Sequence, residues 1–123
     1  MREFARALAE LVRDEGGDTL IVAGADLSHV GGAFGDERRL DSAFLREVEV
    51  ADRAAVAELE RGRPEEFAAV VTRRDNDTRI CSTGCMFALA TALSDRTPTL
   101  LRYHQAVDEP TQTCVTCCAM VYS

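Results

Sequence analysis

The sequence has no tryptophan and no lysine, and its 14 basic residues, all arginine, stand against 21 aspartates and glutamates for a net charge of −7. A chain of that sign lacks the basic stripe that phosphate contacts require, so nucleic acid and anionic membrane surfaces are poor partners. The missing lysine is a coding bias and carries no chemical meaning. No run reaches the roughly 18–20 apolar residues of a membrane span, and Arg2, Glu3 and Arg6 place charge where a signal peptide needs an unbroken apolar stretch. The expected compartment is therefore the cytoplasm. Repeats, linkers and low-complexity segments are also missing. What is there, 123 residues at 46% hydrophobic and 28% charged, is the composition of one globular domain or part of one. Five cysteines are an odd number, and without a secretion signal they are expected to stay reduced, which directs attention to thiol or metal chemistry.

Residues 2–14 set Phe4, Leu8, Leu11 and Val12 at helical spacing against Arg2, Arg6, Glu10 and Arg13, predicting an amphipathic helix that Gly16-Gly17 ends. The run Thr19 to Ala25 is short, apolar and β-branched, and reads as a strand buried on both faces. Residues 38–60 carry apolar positions at helical spacing and predict two helices that break near Val50-Ala51-Asp52. Pro64 suits the first turn of another helix, through about Val71. Asp75 to Thr78 reads as a turn, followed by an apolar helix, Gly84 to Leu93, that Ser82 or Thr83 can cap. Two strands, Leu100–Ala106 and Thr113–Tyr122, close the chain around an acidic Asp108-Glu109-Pro110 turn.

The least ordinary stretch is Asp26-Leu27-Ser28-His29 with Gly31, Gly32 and Gly35 after it, because polar groups and glycines directly follow an apolar strand, at the end where α/β sheets bind ligands. There His29 has Asp26 and Ser28 close by to fix its tautomer, and its intrinsic pKa suits proton transfer near neutrality. His104, in the middle of a strand, has no such neighbours. The cysteines fall into two groups, Cys81 with Cys85, and Cys114 with Cys117 and Cys118. A four-thiolate zinc or iron–sulfur site is disfavoured, because residues 114 and 117 of a strand point to opposite faces and the spacings depart from those of zinc knuckles. Small buried hydrophobes are the plainer reading of Cys85, Cys114, Cys117 and Cys118. Cys81 differs: it enters a helix N-terminus, a setting that favours thiolate, and is the best candidate for a metal ligand or reactive thiol.

In order along the chain, V-A-G-A-D-L-S-H-V-G-G-A-F-G, D-S-A-F-L-R-E-V-E-V-A-D, D-N-D-T-R-I-C and L-L-R-Y resemble the C-terminal part of the Memo family. That family includes the AmmeMemoRadiSam system protein B chains and is similar to class III extradiol dioxygenases. The resemblance implies an α/β fold, a mixed sheet flanked by helices, of which this chain supplies about the last two-fifths. It further implies an oxidoreductase-like pocket with iron or copper, Cys81 as the thiolate ligand, and His29 as the proton-handling histidine. Asp26 and Ser28 would orient the loop. The family's two histidine ligands lie in its N-terminal half, so the site is expected to be incomplete here. Where the family has a Gly after the cysteine this chain has Ser82, and its Ser-rich closing strand has become Cys114, Cys117 and Cys118.

A strand as apolar as residues 19–25 needs neighbours on both sides, and three strands barely make a sheet. Exposed apolar surface is expected, relieved by self-association or by a separately encoded N-terminal half. Other readings of the same residues are a non-enzymatic peptide-binding or protein-binding module, in which a Memo-like cleft recognises peptides, and a truncated remnant without activity.

Overall fold

Helices and strands follow the order α1 (Arg2–Asp14), β1 (His29–Gly31), α2 (Ser42–Glu60), α3 (Pro64–Arg73), α4 (Thr83–Ala92), β2 (Pro98–Asp108) and β3 (Thr113–Tyr122) in the computed structural model, which describes residues 1–16 and 19–123. The strands form one sheet in the order β1-β3-β2, and both pairings are antiparallel. The expected α/β class, a sheet with helices packed on it, is therefore present, but among the described residues the sheet is purely antiparallel rather than mixed, because both neighbours of β3 run against it. Among the described residues no helix is long and apolar enough to cross a membrane.

Residues 42–60 contain no glycine or proline and form one helix, correcting the expected break at Val50-Ala51-Asp52. Asp52 looks like a breaker only while its partners are unknown; in the fold its carboxylate is buried and satisfied by hydroxyls from three other segments. Asp41 starts the helix, accepting a hydrogen bond from the Phe44 N–H at 2.8 Å. Val48, Asp52, Ala55, Val56 and Leu59 line its buried face. Pro64 occupies the first turn of α3 as expected, and Phe67 and Val71 carry that helix into the core. In α4 the expected side-chain cap is not made. Ser82 stands at the N-cap, but its Oγ accepts the Asp26 N–H at 3.2 Å instead, and the Thr83 hydroxyl turns back to the Ile80 carbonyl at 3.1 Å.

The main core joins Leu27, Val56, Leu59, Phe67, Ile80 and Met86 to Tyr103, Cys118 and Met120 on the inner face of the sheet. A second cluster, Val30, Leu40, Val48 and Cys114, sits under β1. The outer face of the sheet is bare: Arg102, His104, Ala106, Ala119 and Val121 are exposed. A bulge after Leu100 leaves Leu101 without a cross-strand partner and 61% exposed.

One expectation fails here. The run 19–25 is not a buried strand. Its residues belong to no helix or strand and alternate in burial, with Ile21, Ala23 and Ala25 half-buried and Leu20 and Val22 outside, 86% and 77% exposed. Among the described residues it pairs with no neighbouring strand. A strand exists only where another supplies the partners for its N–H and C=O groups, and β3 is reached only at Leu27, whose N–H meets the Thr116 carbonyl at 2.8 Å. Helix α1 forms over the expected residues; it buries Ala9, and Ala5 against Phe87 and Ala88, and leaves Phe4 and Leu11 outside, 65% and 62% exposed. Gly16 adopts a left-handed conformation past the helix end, and Gly17, the other expected stop residue, lies outside the described residues.

Candidate functional site

The sequence D-N-D-T-R-I-C builds one wall of the site by local chemistry. Asp75, Asn76 and Arg79 all take positive φ, between 51° and 58°, and wind the chain into a tight turn. Asn76 locks it. Its carboxamide accepts the Ile80 N–H at 2.7 Å and donates to the Ile80 carbonyl at 3.0 Å, as a neighbouring strand would. Ile80 is buried, and Cys81 is thereby held in the exposed turn before α4.

The opposite wall is Asp26 to Gly31. The His29 N–H donates to the Thr78 carbonyl at 2.7 Å, and β1 pairs with β3 at Val115, Cys114 and Thr113. The imidazole is 18% exposed and meets the Phe34 ring edge to face at 5.2 Å. Its Nδ1 lies 3.2 Å from two carbonyl oxygens, those of Leu27 and Arg79. Carbonyls only accept, so these contacts assign the proton to Nδ1 and leave the lone pair on Nε2. Nε2 faces the Asp26 carboxylate at 3.8 Å. Donor atoms of Asp26, His29 and Cys81 all lie within 4.8 Å of one another. The ligand atoms of a tetrahedral ion with bonds of about 2.0–2.3 Å lie roughly 3.3–3.8 Å apart. The Asp26 and Cys81 side chains are exposed, and His29 is held from behind.

Arg79 holds His29 from both sides. Its carbonyl meets Nδ1, while its guanidinium donates to the His29 carbonyl at 3.1 Å and forms a bidentate pair with Asp36 at 2.7 and 3.2 Å. Asp36 also accepts the Gly31 N–H at 2.8 Å. Burial alone would raise the Asp36 pKa, but the Arg79 and Gly31 donors outweigh it and hold the carboxyl below its ordinary 3.8. The ionised form is the one the fold favours. Its contribution is thus complete above about pH 4 and disappears as the pH falls through the lowered value. Arg79 is 37% exposed, so solvent screening limits the pair to about 1 kcal/mol. Asp36→Asn is expected to lose that amount at pH 7 and to show a shallower fall in stability between pH 4 and 2, measured by urea unfolding at a series of pH values. An unchanged acid limb in the variant would refute this account of the pair.

Beneath the site lies a polar network that the sequence reading missed. Asp52 accepts from Ser28 Oγ at 2.6 Å, Thr116 Oγ1 at 2.6 Å and Tyr103 OH at 2.8 Å, and Ser28 Oγ is 2.7 Å from Thr78 Oγ1. Ser28, expected to help orient the loop, is fully buried in this network. Burial and the nearby Asp52 charge raise the Tyr103 pKa strongly and push the Cys114 thiol up to about 11. A spacing of 24 residues between Ser28 and Asp52 gives no signal in the sequence; only a mid-helix aspartate on an apolar face hinted at a partner.

The remaining candidates lie apart from the donor set. His104 is exposed on the bare sheet face, opposite Cys117. Cys114 is buried, and Cys117 and Cys118 are half-buried on opposite faces of β3. Cys85 is exposed, which corrects its reading as a buried hydrophobe: the inward face of α4 is taken by Met86, Phe87 and Ala90.

Comparison with curated proteins gives no match. The sequence profile described as Memo-like protein matches residues 1–121, nearly the whole chain. With that match over the same stretches that build the two walls of the site, the chain belongs to the Memo-like protein family.

Proposed function

We propose that this is a Memo-like metal-site protein in which Asp26, His29 and Cys81 hold one transition-metal ion, iron or copper, in an oxidoreductase-like pocket. The observation that supports this reading best is the orientation of His29. Two carbonyls fix its proton on Nδ1, the arrangement by which proteins prepare an imidazole for a metal, and the free Nε2 looks toward a carboxylate and a thiol. The donor set fits such an ion. A thiolate beside an imidazole favours softer metals, Cu(I) among them, and three protein ligands leave a position open for a small molecule. Bound there, the metal would supply redox or Lewis-acid chemistry. Cys81 would provide charge and Asp26 the third donor, a fuller role than orienting the loop. In this reading His29 ligates when metal is present and handles a proton when it is absent. A reducing compartment such as the cytoplasm keeps the Cys81 thiol available.

The test is metal content and affinity of protein purified anaerobically without added metal. About one iron or copper per chain is expected, and Cys81→Ala should weaken affinity by more than about 100-fold, measured by competition with a chromophoric chelator. His29→Ala should do the same, while both variants keep the parent's circular dichroism. Metal bound by Cys81→Ala as tightly as by the parent would end this proposal, as would zinc that depends on Cys114 or Cys117.

A further inference from the structure

Helix α1 leaves Phe4 and Leu11, two of its large apolar side chains, on a face that the fold does not cover. Met1, Phe4, Leu8 and Leu11 recur at alternating intervals of three and four, the spacing of a coiled-coil seam, yet α1 docks on α4 through the neighbouring Ala5 and Ala9. Leu8 is half-buried at the edge of that contact, and the rest of the seam is left outside, with Met1 67%, Phe4 65% and Leu11 62% exposed. Its charges are sorted. On a helical projection Asp14 borders the seam on the side turned away from α4, with Glu3 and Glu10 next round from it, while Arg2, Arg6 and Arg13 fall together on the far side of the buried alanines. Arg2 is paired, with Glu65 at 2.8 Å. Among the described residues the three acids form no ion pair.

We propose that this face is a docking site for an amphipathic helix whose apolar seam is flanked by lysine or arginine. The seam supplies the apolar contact and the acidic flank supplies selection. Charge complementarity also argues against a second copy of this chain, because two α1 helices packed antiparallel would set Glu3, Glu10 and Asp14 of one against the same flank of the other. The chain's net charge of −7 adds a long-range attraction for a basic partner.

The experiment uses the full chain and two synthetic 21-residue helical peptides with leucine at every seam position, one with lysine and one with glutamate on both flanks. The lysine peptide is expected to bind at least about tenfold more tightly than the glutamate peptide, by fluorescence anisotropy, and to weaken as salt rises. Phe4→Glu/Leu11→Glu should abolish binding of both peptides. Glu3→Lys/Glu10→Lys should reverse the preference between them, a result that a loss of folding cannot mimic. Equal affinity for the two peptides, or no binding of either, would overturn the proposal. So would a stable dimer of the parent in sedimentation equilibrium that Phe4→Glu/Leu11→Glu dissolves. None of these readouts depends on a metal, so the docking face and the metal site fail separately.

Discussion

Asp52→Ala is expected to lower the stability of the protein by about 3–5 kcal/mol, with a melting temperature lower by roughly 10–20 °C. Asp52 is fully buried, and its two oxygens receive hydroxyls from Ser28, Thr116 and Tyr103. Alanine removes the acceptor that three hydroxyls share: Ser28 can still donate to Thr78 Oγ1, but the buried Thr116 and half-buried Tyr103 hydroxyls lose theirs, and each unsatisfied group costs about 1–3 kcal/mol on top of the cavity. The effect is larger than a cavity alone because four segments meet at this carboxylate: the approach to β1, α2, β2 and β3. Asp52→Asn preserves shape and one acceptor oxygen, and hydroxyls can turn to accept from the new amide, so about half the loss is expected. Chemical denaturation followed by circular dichroism separates the two variants. A loss below about 1 kcal/mol for Asp52→Ala would mean that the network is incidental to stability.

Gly31→Ala is the second large effect. Gly31 has φ 109° and ψ −179°, a region that residues with a side chain do not occupy without strain of about 1–3 kcal/mol. Space is also lacking: an added Cβ would sit 2.0 Å from the Gln112 carbonyl oxygen and 3.0 Å from Thr113 Cα, both backbone atoms that cannot swing aside. The turn before β3 must move, carrying β1 away from its partner and His29 with it. A loss of about 3 kcal/mol or more is expected, together with weakened metal binding at a site whose three donors are untouched. Gly32→Ala is the matched control. Nothing lies within 4 Å of its added Cβ, so stability should change by less than about 1 kcal/mol. If the two variants unfold at the same denaturant concentration, the close approach of Gly31 to Gln112 is not what holds this corner.

Local chemistry made much of this structure readable before any coordinates. Pro64 announces α3, the acidic Asp108-Glu109-Pro110 turn places the β2–β3 hairpin, and the loop after Ala25 together with Cys81 holds the donors that the fold brings within reach of one another. Periodicity failed where the answer depended on a partner. Thr19 to Ala25 has the pattern of an interior strand, but pattern cannot provide the neighbour that makes a strand. The stripe in α1 announced an amphipathic helix correctly, but which side meets α4 was not legible in it: the contact runs through Ala5, since alanine lets two helices approach more closely than Phe4 or Leu11 would. Asp52 was misread for the reverse reason. A charged residue in an apolar helix suggests interruption until the hydroxyls that meet it, 24 to 64 positions away, are in place.

The pairing of Ser28 with Thr116 spans 88 positions, whereas β2 and β3 are joined by a short turn. The hairpin can therefore zip early from local contacts, but the strip carrying His29 must wait for nearly the whole chain to close upon it. Its strand ladder covers only three residue pairs, at Val115, Cys114 and Thr113, and the rest of its anchorage comes from Thr78, Arg79 and Thr116, which are also distant along the chain. An ion held by Asp26, His29 and Cys81 would then act as a clasp on the last segment to arrive, joining the chain's first quarter to the turn that precedes α4.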